Sequence, residues 1–327
     1  MNEPVSPSHP GNGGDGIRQP GRAPSWFDGL VRRLSERRVS VRTPLATWLA
    51  AAIFIGVIVV AIAAFPYDAG SVHWTRLAWT AVVLVPATAI LNGLEFHLGA
   101  HLLSLNFTLA ESFRVGLYGS AANNLPIPGA VMVRVGAMAR RGSKLRRAGS
   151  VAVATGILRV ALAAAVAGLV VWVADSQFPG LALMIFGGAL GAVTLWYLSR
   201  SSDAKARWTI VSAIVAVEVA FVVATALRFH VALLALDVRA TASQSVVLAL
   251  SVSVAAAVGI VPAGLGIREL VAGLLAPLVS IQPALGLAGS VLDRIAAMIA
   301  LGLITIVVAA TQERNSRQLP PQSEAIE

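Results

Sequence analysis

Residues 46–65, 77–94 and 180–199 contain no charged side chain. The first of these runs is 20 residues long, about 30 Å as a helix, which is the hydrocarbon thickness of a bilayer. In that medium every backbone N–H and C=O must be satisfied within the segment or against protein, so such runs are restricted to helix. Three more runs, 150–173, 208–228 and 284–310, are nearly as apolar and carry Arg159, Glu218, Asp293 and Arg294 within them. Composition agrees: 57% of the 327 residues are hydrophobic and 13% are charged, against roughly a quarter charged in soluble domains. The net charge of +9 does not point to nucleic acid, because the basic residues sit in short loops beside apolar runs, as membrane sidedness requires. With no cysteine, disulfides and thiol chemistry are excluded.

Two apolar stretches are interrupted where a membrane helix should be most protected. Pro262-Ala263-Gly264-Leu265-Gly266-Ile267-Arg268-Glu269 breaks 245–280, and Asn123-Asn124-Leu125-Pro126-Ile127-Pro128-Gly129, with Arg134 beyond it, breaks 112–139. Broken backbone survives in hydrocarbon only where protein or a water-filled cavity covers it. An offset of 134 carries Pro128 to Pro262, Arg134 to Arg268 and Trp74 to Trp208. The same offset lays 46–65, 77–94 and 150–173 onto 180–199, 211–228 and 284–307. An internal duplication is the expectation.

The stretch 112–124 is 13 residues, about 20 Å of helix and too short to span. After it comes Arg140, Arg141, Lys144, Arg146 and Arg147 without an acidic residue, a cluster that belongs in the cytoplasm. Both ends of 112–139 are therefore expected on one side. The predicted fold is an all-α polytopic membrane protein with six full transmembrane helices and two re-entrant helical hairpins in an inverted repeat. The rival is eight ordinary spans, since 245–261 and 264–280 are each nearly long enough. The expected organisation is a disordered-to-basic cytoplasmic segment 1–45, membrane repeats 46–173 and 174–310, and a cytoplasmic tail 311–327. Glu95, His97 and His101 are placed just past span 77–94 as interfacial polar residues, and Arg228–Ser243 as an external loop. The histidine pair lacks a third strong ligand nearby, so no metal is expected.

A hairpin limb starting at Pro128 or Pro262 suits helix geometry, because proline in a first turn loses no hydrogen bond. Its unpaired N–H groups and positive dipole end would lie deep in the bilayer, where helix N-termini bind anions. Gly129, Gly264 and Gly266 allow close approach to backbone, and Arg134 and Arg268 add full charges. Arg159, Arg294 and Asp293 lie within spans, where a charge costs about 2.5–3.5 kcal/mol and must face a cavity or a partner; Glu269 and Glu218 are available partners. Asn123 and Asn124 either cap the broken helix or touch a ligand. The plainer alternative for all these charges is a set of buried pairs that lock helices together.

The two motifs, with Arg294 in a later span, resemble the lysylphosphatidylglycerol synthase transmembrane region, a flippase-like membrane protein family, over roughly residues 45–310. Where members often carry Gly-Gly in the first motif, this chain has Ala130-Val131. The resemblance implies a bacterial inner-membrane protein that moves an anionic phospholipid or lipid-linked molecule between leaflets. Members that synthesise aminoacyl lipids carry a large soluble C-terminal transferase domain. Here 17 residues follow position 310, so the expectation is translocation alone, with no catalytic residue and no cofactor. Protein partners are not indicated. The alternatives are a membrane-embedded transferase acting on a lipid carrier, with Glu269 or Asp293 as its acid or base, and a non-transporting scaffold.

Overall fold

A computed structural model describes residues 72–124, 130–175, 178–201, 207–258 and 266–318. Among them all regular structure is helical. In chain order the elements are α1 (Trp74–Leu102), α2 (Leu109–Asn124), α3 (Ala130–Arg140), α4 (Leu145–Asp175), α5 (Phe178–Ser201), α6 (Arg207–Ala235), α7 (Ala242–Val258), α8 (Ile267–Leu275) with a 3-10 turn Ala276–Val279, and α9 (Pro283–Gln318). Five of these, α1, α4, α5, α6 and α9, contain stretches long and apolar enough to cross a membrane, which marks a membrane protein. The run 46–65, the segment 1–45 and the end of the tail lie outside the described residues.

The surface supports that assignment. Val82, Ile185, Phe186, Val193, Leu303 and Ile306 are all more than half exposed, while Glu95, Arg159, Glu218, Arg228, Arg268 and Asp293 are buried. Apolar outside and charged inside is the reverse of what water selects.

Helix directions follow from the contacts at each end. The His73 N–H donates to Ala235 O at 2.9 Å, and Val72 and Leu77 pack with Ala235, Leu236, Ala288 and Leu292. Leu102, at the far end of α1, packs instead with Leu198 at the end of α5 and Val211 near the start of α6. So α1 and α6 run antiparallel, and the turns that follow them lie at opposite ends of the bundle. Helix α1 has 29 residues, about 43 Å at 1.5 Å each, so those ends are separated by more than a hydrocarbon core.

The shorter helices form two hairpins. Arg141, just past α3, donates from Nη1 to Asn106 O at 2.9 Å and pairs with Glu111 at the start of α2. Both ends of the α2–α3 pair thus lie at the end of the bundle where α1 finishes. At the other end, the Gln244 amide donates to Val279 O at 2.9 Å and joins the start of α7 to the end of the α8 segment.

The entries to these hairpins are built alike, 133 residues apart. At α2, the Thr108 N–H donates to Glu111 Oε2 (2.9 Å) and the Glu111 N–H to Thr108 Oγ1 (3.2 Å). At α7, the Thr241 N–H donates to Gln244 Oε1 (2.7 Å) and the Gln244 N–H to Thr241 Oγ1 (3.3 Å). Each is a capping box that satisfies two orphan donors of a helix start. The Thr108 N–H, with Arg141 beside the carboxylate, holds the Glu111 carboxyl below the usual carboxylate range. Ser112 and Ser245 each give their hydroxyl proton to the capping threonine's carbonyl at 3.0 Å and meet His97 Nδ1 or His230 Nδ1 at 3.1 Å. With the hydroxyl proton committed, Nδ1 is the donor on each histidine. Ser104 and Asp237, also 133 apart, both take positive φ, 56° and 58°.

The sequence offset of 134 is therefore shortened by one within α1, and the helix shows where. Thr80–Leu84 is a π turn, the local form of one extra residue in an α-helix. Pro86 follows it and lacks an N–H to give to residue 82, so a plain α-turn would be broken at that point.

Tight helix crossings rest on small residues. A Cβ at Gly116 would fall on the Gly93 backbone, and one at Gly187 on Ala165 N. At the positions 133 residues on from Gly93 and Gly116 stand Ala226 and Ala249, packed in one core cluster. Gly116→Leu should separate α2 from α1 and destabilise the protein by at least the usual overpacking cost, about 1–3 kcal/mol. Thermal unfolding in detergent reads this as a lowered midpoint, whereas Gly188→Leu, at an open position, should leave it near wild type.

Candidate functional site

Twelve polar or charged side chains from seven helices gather into two clusters inside the bundle. In the first, Glu95 on α1 is 1% exposed and receives two arginines. Arg134 on α3 donates from Nη1 to Glu95 Oε1 at 2.8 Å and from Nη2 to Asn92 Oδ1 at 3.2 Å. Arg159 on α4 donates from Nη2 to Glu95 Oε2 at 2.5 Å and from Nε to Glu218 Oε2 on α6 at 2.6 Å. Its guanidinium lies 3.7 Å over the centre of the Phe221 ring, a cation–π contact in a dry setting. Asn92 in turn donates to Ser120 Oγ on α2 at 2.9 Å, and Ser120 to Gly116 O at 2.8 Å. Two guanidiniums thus meet two carboxylates. A cavity of about 10 Å³ borders them, lined by Glu95, Arg134, Gly99, Met138, Val151 and Thr155, which is room for one water molecule.

In the second cluster Asp293 on α9, fully buried, is the hub. Arg228 on α6 grips it with both teeth of its fork, Nε to Oδ1 and Nη2 to Oδ2, each at 2.9 Å. Arg268 on α8 also donates to Asp293 Oδ2. Arg228 Nη1 reaches Thr88 Oγ1 on α1 at 3.1 Å. Beside them Arg294 Nη1 lies 3.0 Å from Glu269 Oε1, an ion pair by distance whose angles are poor for a hydrogen bond. Glu269 Oε2 accepts the N–H of Gly266 at 3.1 Å, closing the first turn of α8; Gly266 sits at φ 80°, which a glycine adopts without strain.

The two clusters stand in register. Glu95 and Arg228 are 133 apart, within Leu94-Glu95-Phe96-His97 and Leu227-Arg228-Phe229-His230. Arg134 and Arg268 are 134 apart, as are Arg159 and Asp293. The hairpin arginine keeps its sign, while the other two partners exchange theirs. Along α1 Thr88 and Glu95 are seven residues apart, and along α6 Glu218 and Arg228 are ten apart, so the clusters sit about 10–15 Å from each other along the bundle axis.

Of the residues singled out in the sequence, Arg134 and Arg159 come together in the first cluster, and Arg268, Glu269, Asp293 and Arg294 in the second. Asn123 and Asn124 are the last residues of α2. Pro128, Gly129, Pro262 and Gly264 lie outside the described residues. The guanidiniums of Arg134 and Arg268 are held by carboxylates rather than turned to an open chamber.

Two placements need correction. Glu95 is not an interfacial residue beyond a helix, because α1 runs on to Leu102 and buries it, with His97 and His101 in its last turns. Arg228 does not open an external loop, because α6 continues through Val231–Ala235 and Asp293 neutralises it. The repeated Leu-x-Phe-His was the available signal for both. His97 and His101 stack edge to face at 4.5 Å, and no set of three His, Asp or Glu side chains arranged to hold a metal occurs among the described residues.

Compared with known proteins, the chain matches no family model, no curated protein and no solved structure.

Removing one member of such a cluster strands its partners. Arg159→Met takes from Glu218 the cation that is paired with it among the described residues and should cost about 3–5 kcal/mol. Arg159→Met with Glu218→Met removes the charge and its orphan together and should recover most of that loss, since Arg134 still holds Glu95. Equilibrium unfolding of the purified variants in micelles checks both.

Proposed function

We propose that the chain is a flippase-like transporter that moves an anionic lipid or lipid-linked molecule between the leaflets of a bacterial inner membrane. The observation that carries this reading is the pair of buried charge clusters, each taking an arginine from the second limb of a hairpin, Arg134 from α3 and Arg268 from α8. An ionisable side chain within a membrane span costs about 2.5–3.5 kcal/mol even on insertion scales. Buried ion pairs are often no more stable than apolar side chains of the same volume, so helix locking alone is a weak reason to keep nine charges there.

Several features favour six full spans with two re-entrant hairpins in an inverted repeat. The hairpins start and finish at the same end of the bundle, their limbs are short, and the two equivalent entries lie at opposite ends. Inverted repeats with broken helices near mid-membrane are a recurring plan of transporters. In this reading the cluster containing Arg134 is reached from one leaflet and the cluster containing Arg268 from the other. Each hairpin arginine is a latch, bound to Glu95 or Asp293 when closed and available to a phosphate when the carboxylate releases it. The basic residues Arg140, Arg141, Lys144, Arg146 and Arg147 favour a cytoplasmic position for the first hairpin's outer end, and in this reading both termini share that side. The resemblance of the two Pro-Gly motifs to the lysylphosphatidylglycerol synthase transmembrane region points the same way.

Reconstitution into vesicles with head-group-labelled phosphatidylglycerol tests the proposal. Wild-type protein should speed loss of the label from the protected leaflet, and Arg268→Ala should slow that exchange at least tenfold, the scale of one lost charge-assisted contact. Exchange no faster than in empty vesicles, across anionic and zwitterionic lipids, would contradict it. New lipid species by mass spectrometry would favour a transferase instead.

A further inference from the structure

Helix α4 is covered along one side by α5, and the cover is tight. A Cβ added at Gly187 would fall on Ala165 N, one at Gly168 on Met184 N and one at Gly180 on Trp172 N, while one at Gly191 would lie 3.7 Å from Ala161 Cβ. The covered face of α4 is thus Ala161, Ala165, Gly168 and Trp172, stepping by four, three and four residues as one stripe of a helix does. Its inward face, with Ala163 and Ala167, packs with Val222, Val247 and Leu250.

The offset of 134 that relates Arg159 to Asp293 lays α4 on α9. Ala163 and Ala167 fall on Ala297 and Leu301, which pack inward with Val85, Ala89 and Leu117. Ala161, Ala165, Gly168 and Trp172 fall on Ile295, Ile299, Gly302 and Ile306. The glycine is kept, but its surroundings are not. Ile299 is 56% and Ile306 66% exposed, and a Cβ at Gly302 would meet nothing within 4 Å among the described residues. The face that α5 closes on one helix is open on its counterpart.

The sequence contains a segment that fits this face. The same offset lays 46–65 on 180–199, the bulk of α5. Met184, opposite Gly168, corresponds to Ala50, and Gly187, opposite Ala165, corresponds to Ile53. The connection also reaches. Six residues separate position 65 from Val72, and Val72 packs with Ala288 and Leu292 in the first turns of α9. Gly302 lies 14 residues beyond Ala288, about 21 Å along the helix, and Ala50 lies 15 residues before position 65, about 22 Å. A helix antiparallel to α9, as α5 is to α4, therefore brings Ala50 to the level of Gly302.

We propose that the run 46–65 docks as a helix on the outer face of α9, with Ala50 against Gly302 and Ile53 against Ile299. Each half of the chain then covers the last helix of the other half with its own first helix. Ile53 on Ile299 stands where Gly187 on Ala165 stands in the α4–α5 pair, so the two helices are further apart at that level and side chains meet there rather than backbones. Close packing at the small residues favours this contact over lipid, which solvates apolar side chains equally well elsewhere. The docking rests on the repeat and is independent of transport.

The full chain has no cysteine, so paired substitutions report proximity directly. A protease site inserted within 66–71 lets a disulfide between the two segments hold the cut fragments together on a non-reducing gel. After oxidation with copper phenanthroline in membranes, Ala50→Cys with Gly302→Cys and Ile53→Cys with Ile299→Cys should both retain the N-terminal fragment. Ala52→Cys with Gly302→Cys, turned about 160° from Ala50 on the helix, should not. Gly302→Leu should also lower the thermal midpoint in detergent below that of Gly188→Leu, although both glycines are open among the described residues. Helix propensity changes alike in the two variants, so the difference reads the covering segment. Loss of the fragment in both test pairs, equal retention in the Ala52 control, or equal midpoints overturns the docking. In that case disulfide-linked dimers of Gly302→Cys assign the face to a second copy, and the absence of any cross-link assigns it to lipid.

Discussion

A charged side chain that cannot reach water has to find its opposite, and that requirement organises this bundle. Arg159 is bound to carboxylates from two other helices, Glu95 on α1 and Glu218 on α6. Asp293 gathers Arg228 from α6 and Arg268 from α8. Helices that share no sequence neighbourhood are thus held in register by a few contacts with steep distance dependence. The apolar side chains around them cannot supply such register, because outward-facing Val, Leu and Ile are as content against lipid as against one another.

Close approach is what allows these contacts to form. Gly93 and Gly116 let α1 and α2 meet at the backbone, one turn from Asn92, Ser120 and Glu95. The same place in the second half is taken by Ala226 and Ala249, with Arg228 two residues on. In both halves small residues bring a short hairpin limb against a long helix, and a buried charge sits beside the crossing. The hairpin arginine then closes the cluster from the returning limb.

Much of this was readable in the chain. The apolar runs from 77 onward correspond to described helices, because helix formation follows from local backbone chemistry that one segment states for itself. Arg134, Arg268, Arg159 and Asp293 stood out because a charge in an apolar run is conspicuous. Glu95 and Arg228 did not, since each lies near a polar stretch that reads as a helix end. Only pairing Leu94-Glu95-Phe96-His97 with Leu227-Arg228-Phe229-His230 reveals them, and that match was obscured by the one-residue shift that the π turn absorbs. Which charges meet was not legible at all, because an ion pair between helices is a property of their packing and not of either sequence.

The central claim is that two bent helix pairs dip in from opposite faces and each return to the face they came from. The chain has no cysteine of its own, so single-cysteine variants report sidedness without background. Asn106→Cys and Lys144→Cys flank the first pair, and Arg239→Cys and Gln282→Cys flank the second. With a membrane-impermeant maleimide on sealed vesicles of known orientation, the first two should react from one face and the last two only from the other. Asn106 and Lys144 reacting from opposite faces, or Arg239 and Gln282 doing so, would contradict the account.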